Sequence, residues 1–205
     1  MYLPKHFAET DIGVMHELMR AFPLATIVTQ GANGLEANHI PLHLDAAAGP
    51  NGALLGHIAR ANPLATAAAD CEILVIFQGE ERYISPSNYA TKAEHGKVVP
   101  TWNYVAVHAY GRLRLVDDAD WLLAQLRTLT TEQEAGLPHP WAVDDAPANY
   151  IEKMLGAIVG IEISIARLAG KWKVSQNQPA VNQASLIAAL DGQPMAELIR
   201  ERAVK

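Results

Sequence analysis

The stretch VPTWNYVAVHAYG, residues 99–111, carries Thr, Trp, Asn, His and Tyr side chains between valines and alanines. A buried donor without a hydrogen-bond partner costs about 1 to 3 kcal/mol, so an ordinary core strand would be built from aliphatic residues. The alternation predicts a strand, and its polar side chains predict that something answers their donors. The strand continues through GRLRLV, and this length predicts a bend near Pro100 or Gly111.

Between the first predicted helix and the end of this strand, strands joined by turns dominate the predicted elements. The other predicted strands are LATIVTQ (24–30), its hairpin partner LEANHIPLHLD (35–45), GALLGHIA (52–59), EILVIFQG (72–79) and AIVGIEISIARLAG (157–170). The predicted helices are 11–22, a short one within 62–70, 117–134, 146–155, 184–192 and 194–203. Pro23 ends the first of them. The helix 117–134 is predicted to have Asp117 as its cap and Leu122, Leu126 and Leu129 on its core face. The segment 83–97 is predicted to be a loop.

Hairpin turns between five or six strands favour antiparallel pairing. A doubly wound fold would instead alternate strands and crossover helices throughout. The pattern therefore predicts a mainly β (α+β) chain, an antiparallel barrel with peripheral and C-terminal helices.

Composition narrows the function classes. The 205 residues have a formal net charge of −6, which disfavours nucleic-acid backbones unless a local basic patch exists, and only LIRERAVK (198–205) is locally basic. Cys71 is the one cysteine, so no intramolecular disulfide can form, and it is interpreted as an inert core thiol. No apolar run is long enough for a spanning helix and no secretory leader is recognised, so the predicted location is the cytoplasm, without a membrane.

Several catalytic and binding motifs are missing. The chain has no G-x-G-x-x-G, no P-loop and no G-x-S-x-G. His39 and His43 are four apart, but Pro41 between them favours a strand, where four residues span about 13 Å. Metal ligands need bonds of about 2 Å, so no metal site is predicted.

Four segments combine apolar side chains with polar or charged ones: GHIARANP (56–63), YISPSNY (83–89), VPTWNY (99–104) and KWKVSQN (171–177). A ligand with an anionic end, a hydroxylated middle and a flat apolar ring would use cations and hydroxyls at the phosphate, amides along the chain and an aromatic wall at the ring. Flavin mononucleotide (FMN) has this shape.

These strings, together with MYLPKHF, PWAVDDAP and AIVGIEISI, occur in an order that resembles the PaiB-type family of FMN-binding negative transcriptional regulators, from residue 1 to about 190. The resemblance implies a split β-barrel that binds FMN at a homodimer interface. It implies an FMN-binding domain over 1–178, followed by a helical extension over 179–205.

The resemblance and the residue types nominate the cofactor-binding side chains. They are His57, Arg60, Asn62, Ser85, Ser87, Tyr89, Thr101, Trp102, Asn103, Lys171, Lys173 and Gln176. Each also has an ordinary structural interpretation: a solvated loop arginine, a satisfied core histidine, turn chemistry around Pro86, a core tryptophan, or an exposed lysine pair. In a strand, Thr101 and Asn103 share one face while Trp102 faces the other, and Lys171 and Lys173 oppose Trp172 in the same way.

Three functions are compatible with the sequence. The first is an FMN-binding regulator, with direct DNA binding weakly supported because no clear helix-turn-helix is present. The second is an FMN-dependent oxidoreductase that uses a reduced nicotinamide nucleotide, since flavin itself carries redox chemistry. The third is a dimeric scaffold with weakened flavin affinity, suggested by Asn88 and Gln178, where the family pattern has Trp and Arg.

Overall fold

The computed structural model describes residues 1–31, 34–67 and 72–203. Cys71 and the central residues of the predicted turn at 31–34 lie outside this part. The strands are β1 (Ala8–Glu9), β2 (Leu24–Gly31), β3 (Gly34–Pro41), β4 (His43–Asp45), β5 (Ala53–Ala59), β6 (Glu72–Ile84), β7 (Thr101–Val116) and β8 (Ile158–Lys173). The helices are α1 (Ile12–Ala21), α2 (Leu64–Ala67), α3 (Lys92–His95), α4 (Ala119–Glu134), α5 (Ala148–Leu155), α6 (Ala180–Ala189) and α7 (Pro194–Arg202), and three 3-10 turns lie at Lys5–Phe7, Pro86–Asn88 and Val143–Asp145.

The strands form an antiparallel sheet. Their order is β3-β2-β6-β7-β8-β5-β4, and β1 pairs with β8. The predicted hairpin is confirmed, with β2 and β3 paired in register from Leu24 opposite Pro41 to Gly31 opposite Gly34. The mainly antiparallel class inferred from the turn pattern is therefore correct.

The chain divides into two compact units, each described by itself. The first unit comprises Met1–Met15, Gln78–Val107 and Ala169–Lys205, and the second comprises His16–Phe77 and His108–Leu168. In the first unit, the buried apolar side chains come from strands and from α6 and α7, among them Ile84, Val105, Trp172, Leu186 and Ile199. In the second unit, they include Ile27, Leu54, Phe77, Leu122 and Ile161.

Two local predictions are corrected. The segment 35–45 is two strands, because Pro41 cannot donate to a ladder and β4 pairs with β5 instead of β2. Helix α4 is capped by Asp118, whose carboxylate accepts from the Trp121 amide at 2.8 Å. Asp117, the cap expected from the sequence, is engaged in an ion pair with Arg60.

Other elements exceed or refine their predicted bounds. Strand β6 extends five residues past the predicted end at Gly79, to Ile84, and β8 continues through KWK to Lys173. The segment predicted as a loop at 83–97 contains the 3-10 turn Pro86–Asn88 and the short helix α3. Of the predicted leucine face of α4, Leu122 and Leu129 are buried and Leu126 is half-buried.

Gly111 is required where β7 passes β8. A Cβ atom at this position would collide with the carbonyl oxygen of Ser164. We expect Gly111→Ala to lower the free energy of unfolding by about 1 to 3 kcal/mol, because the backbone must move to accept the methyl group. Urea unfolding measures this loss, and Gly136→Ala, whose Cβ would meet nothing within 4 Å, is the matched control. Equal stability of the two variants would contradict the close approach.

Candidate functional site

The predicted cofactor residues are distributed over both units. His57, Arg60 and Asn62 belong to the second unit, and the other nine belong to the first. The contacts within each unit show which of these side chains are available to a ligand and which already have protein partners.

Two lysines at the end of β8 form the most unusual feature of the first unit. Lys171 is 7% exposed, which is rare for a lysine. Its Nζ donates to the Tyr2 carbonyl oxygen at 3.1 Å and lies 5.2 Å from the centroid of the Tyr104 ring. Trp172 between the lysines is also buried, and the opposite facing of Trp172 and the two lysines stays a prediction from strand geometry.

Lys173 reaches the start of β7. Its Nζ donates to the Thr101 hydroxyl at 2.5 Å and to the Trp102 carbonyl oxygen. Burial lowers the pKa of Lys173, and the nearby positive charge of Lys171 lowers it further. The interpretation of the two residues as an exposed, solvated lysine pair is therefore wrong for Lys171. Lys173 is half-buried, so this interpretation fits it only in part.

No carboxylate forms an ion pair with either lysine among the described residues. The acidic side chain of Glu9, on the neighbouring strand β1, pairs with Arg202 instead. Burying a cation against carbonyl groups and rings leaves most of its charge uncompensated, which is costly. Such a pair is suited to an anion, and a phosphate group would supply the missing charge.

The turn after β8 is held rigidly by polar contacts. Asn103 is fully buried and its amide bonds to the Ser175 hydroxyl at 2.9 Å. Ser175 has φ of 66°, the left-handed conformation that non-glycine residues rarely adopt. Gln183 donates to the Ser175 carbonyl oxygen, and Gln176 donates to that of Trp172 at 2.5 Å. These contacts fix the turn that follows Lys173.

The face of β7 opposite Asn103 is exposed at its start. Trp102 is 54% exposed and meets Tyr83, itself 50% exposed, edge to face at 5.8 Å between ring centroids. The interpretation of Trp102 as a core filler is therefore wrong. Two aromatic rings in contact at the surface are more typical of a covered interface than of a free face.

The turn carrying Ser85, Ser87 and Tyr89 shows ordinary turn chemistry. The Ser85 hydroxyl accepts from the Ser87 amide at 3.2 Å, and the Ser87 hydroxyl accepts from Lys92 Nζ at 3.0 Å. Tyr89 is buried. Asn88 accepts at its carbonyl oxygen from the Ser185 hydroxyl of α6 at 2.7 Å.

In the second unit, Arg60 is already engaged. Its guanidinium makes a bidentate pair with Asp117, at 2.9 and 2.7 Å, and donates to the carbonyl oxygens of Gly156 and Ile158. The hydrogen bonds and charge of Asp117 raise the pKa of Arg60, although burial opposes them. A phosphate would have to compete with these partners for Arg60.

His57 and Asn62 also have protein partners in the second unit. His57 Nδ1 lies 3.1 Å from Gln125 Oε1. Asn62 caps α2 by accepting from the Leu64 amide at 2.9 Å, and its amide group donates to Asn38. The roles of these two residues toward a cofactor stay predictions.

Tyr110 and His108 are polar side chains of β7 that belong to the second unit. Within the second unit, Tyr110 stacks under the Arg167 guanidinium at 3.6 Å from the ring centroid. His108 Nδ1 is buried without a partner among the described residues, and burial lowers the pKa of His108. Thr101 and Asn103 are hydrogen-bonded to Lys173 and Ser175. The rings of Tyr104 and Tyr110 contact cations, but a contact with the ring face does not pair the phenol hydroxyl.

Sequence reasoning missed two contributors to the lysine site. Tyr104 belongs to the stretch VPTWNYVAVHAYG, and its ring faces Lys171. Ser175 stood in KWKVSQN, but its left-handed backbone leaves no signature in the sequence when the residue is not glycine. Among the described residues, no group of three or more His, Cys, Asp or Glu could hold a metal ion.

Comparison with known proteins decides the family. Residues 1–167 match the sequence profile of the family described as "Putative FMN-binding domain". The chain is also 30% identical to the Protease synthase and sporulation protein PAI 2 of Bacillus subtilis, over 100% of this chain and 99% of that protein. The chain belongs to the PaiB-type FMN-binding family. An uncharacterized protein of Emericella nidulans is 34% identical to this PaiB-type chain, covering 98% of it and 97% of the relative.

Solved structures support the fold of this PaiB-type protein. The FAD and heme binding protein from Mycobacterium smegmatis matches with a TM-score of 0.61 at 16% identity, covering 81% of this chain and 73% of the other. The flavocytochrome Anf3 from Azotobacter vinelandii matches with a TM-score of 0.58 at 18% identity, covering 83% and 72%. The predicted antiparallel split β-barrel class is confirmed, and the family confirms FMN as the cofactor.

No helix among the described residues combines the length and apolar character needed to cross a bilayer.

Proposed function

We propose that the protein is an FMN-binding homodimer in which Lys171 and Lys173 hold the FMN phosphate and Thr101 adds a hydroxyl. The observation that carries this proposal is a lysine pair, Lys171 buried and Lys173 half-buried, without a carboxylate partner among the described residues. The family supports FMN as the ligand. Flavin supplies redox chemistry when bound.

The donor set suits a phosphate monoester. Lys173 and Thr101 are already in contact, so the two donors converge before any ligand arrives. Lys171 contributes a second positive charge that acts on Lys173, and its side chain is buried. Charge-assisted hydrogen bonds of this kind are about twice as strong as neutral ones. The rigid turn around Ser175 limits the entropy lost when the phosphate binds.

We further propose that a second copy of the chain covers Trp102 and Tyr83. Both are exposed aromatic side chains of the first unit, in contact with each other. Aromatic residues are enriched at the buried centres of interfaces, where they often carry most of the binding energy. The PaiB-type resemblance motivates a homodimer rather than a different partner.

The regulatory role is proposed from the family relation. The segment LIRERAVK was the one locally basic stretch, and its described arginines are engaged: Arg200 pairs with Glu197, and Arg202 pairs with Glu9. Compensated arginines add little to the attraction of a phosphate backbone. We therefore propose regulation through flavin and protein contacts rather than through this segment on DNA. A gel-shift series should show no complex that weakens steeply between low and moderate salt, and such a complex would contradict this proposal.

Binding of FMN should weaken at alkaline pH. The charged ammonium of Lys173 attracts phosphate, and its pKa is lowered from 10.5 by burial and by Lys171. Affinity should therefore fall as pH rises through that lowered value, below 10.5. Riboflavin, which lacks the phosphate, is the control for ionisation of the flavin ring. Lys173→Arg should move the loss to higher pH, since arginine stays charged. Parallel curves for FMN and riboflavin would contradict the lysine assignment.

A further inference from the structure

The second unit contains an apolar cavity whose lining includes none of Lys171, Lys173 and Thr101, the residues proposed above to hold the phosphate. Its volume is about 260 Å³. Its walls come from α4, α5 and the turn Val143–Asp145, and they include Leu126, Val143, Ile151 and Leu155. His57 of β5 is one of the few polar residues that line it. We propose that this cavity binds a small neutral aromatic alcohol, with its hydroxyl on His57.

Size limits the occupant. A cavity of about 150 Å³ lined by aliphatic and aromatic side chains holds a benzene molecule. The larger volume here admits one ring with a short substituent. It falls below the range of about 300 to 1,000 Å³ that drug-sized ligands occupy, which favours a small guest. None of Lys171, Lys173 and Thr101 lines the cavity, and the inference does not rest on the proposed function.

Charge also limits the occupant. Among the described residues that line the cavity, none is Asp, Glu, Lys or Arg. An ion entering it would lose its hydration without gaining a countercharge. Three lining side chains, Trp141, Tyr150 and Met154, are exposed. Aromatic rings and a thioether at the accessible part favour an aromatic guest over a polar one.

His57 supplies the polar anchor. Its Nδ1 is held by Gln125, which is 4% exposed and whose Nε2 is buried without a partner among the described residues. Contact with Gln125 therefore fixes the imidazole and leaves Nε2 as the ring nitrogen for a ligand. If Gln125 accepts from Nδ1, then Nε2 of the neutral ring is an acceptor. If the amide is turned, Nε2 is a donor. A hydroxyl serves either tautomer, because it both donates and accepts.

The test uses a matched pair of probes, 4-ethylphenol and 4-ethyltoluene, titrated into the whole protein and followed by ligand-observed NMR. They have similar size, and a methyl group in 4-ethyltoluene takes the place of the hydroxyl. We expect saturable binding of both, with about a 3- to 10-fold preference for the phenol, the effect of one neutral hydrogen bond. Absence of saturable binding, or equal affinities, would overturn the proposal.

Variants locate the site. His57→Phe should abolish the preference for the phenol, while Leu126→Trp should fill the cavity and abolish binding of both probes. The matched control is His43→Phe, since His43 also contacts a side chain of α4, Glu132 at 2.9 Å, but does not line the cavity. Circular dichroism checks that each variant folds. A preference that survives His57→Phe would overturn the proposal.

A measurement on the unmodified protein does not depend on whether a variant folds. Adding 4-ethylphenol should shift the ¹⁵N resonance of His57 Nε2 and leave the His43 ring unchanged. Equal shifts in both rings, or none, would contradict the inference. FMN titration of the same samples reports separately on the lysine site, so failure of either proposal is recognised independently of the other.

Discussion

Replacing Lys173 by methionine is expected to weaken FMN binding by about 10- to 100-fold while riboflavin binding stays unchanged. A hydrogen bond to a charged group contributes about 1.5 to 3 kcal/mol, and each 1.4 kcal/mol corresponds to a factor of ten. Methionine keeps the length and apolar stem of the side chain and removes only the charge and donors. Fluorescence quenching of each flavin on titration with protein measures the two dissociation constants.

Two comparison variants separate this site from alternatives. Lys153→Met removes an exposed lysine of α5 and should leave FMN affinity unchanged. Arg60→Met tests the other cation predicted from the sequence. Because its guanidinium is held by Asp117 and two carbonyl groups, we expect a loss of stability without selective loss of FMN over riboflavin. If Arg60→Met selectively weakened FMN binding while Lys173→Met did not, Arg60 and not Lys173 would be the residue that binds the phosphate.

Replacing Trp102 by glutamate is expected to convert the proposed dimer to a monomer. A tryptophan at the centre of an interface typically contributes 2 kcal/mol or more, which is about 30-fold in the dimer dissociation constant. A buried carboxylate adds a desolvation cost. Sedimentation velocity over a range of concentrations measures the change.

The control for this substitution is Leu35→Glu. Leu35 is 75% exposed on β3, against 54% for Trp102. It should leave the oligomeric state unchanged. A wild-type protein that stays monomeric at all concentrations, or a Trp102→Glu variant that sediments as the wild type does, would contradict the proposed interface.

Local pattern predicted much of the fold. The period of two in VPTWNYVAVHAYG predicted β7 and the opposite facing of Trp102 and Asn103, since side-chain alternation is a property of the strand itself. The periodic leucines of 117–134 predicted α4. The cap was misplaced by one residue because Asp117 and Asp118 are equivalent by type. Only the long-range pairing of Asp117 with Arg60 distinguishes them.

The candidate site was predictable by composition and less so by arrangement. Lys171, Lys173 and Thr101 were nominated from residue type and family resemblance, and the structure places them within one unit. The burial of Lys171 could not be read from the sequence, because it depends on Tyr2 and Tyr104, distant in the chain. The cavity beside His57 was likewise invisible, since it arises from the packing of α4 and α5.

Restoring the family residues at Asn88 and Gln178 tests whether flavin affinity is weakened in this chain. Gln178 accepts from Asn182 of α6 at 3.1 Å, and Asn88 also contacts that helix. If these departures weaken binding, Asn88→Trp with Gln178→Arg should raise FMN affinity, measured by the same titration. Unchanged affinity would remove the weakened-scaffold alternative.

A crystal structure of the FMN complex would show directly which residues hold the phosphate. We expect phosphate oxygens within hydrogen-bond distance of Lys173 Nζ and the Thr101 hydroxyl, with Lys171 Nζ close by. A phosphate bound at Arg60, or anywhere without contact to either lysine, would contradict it.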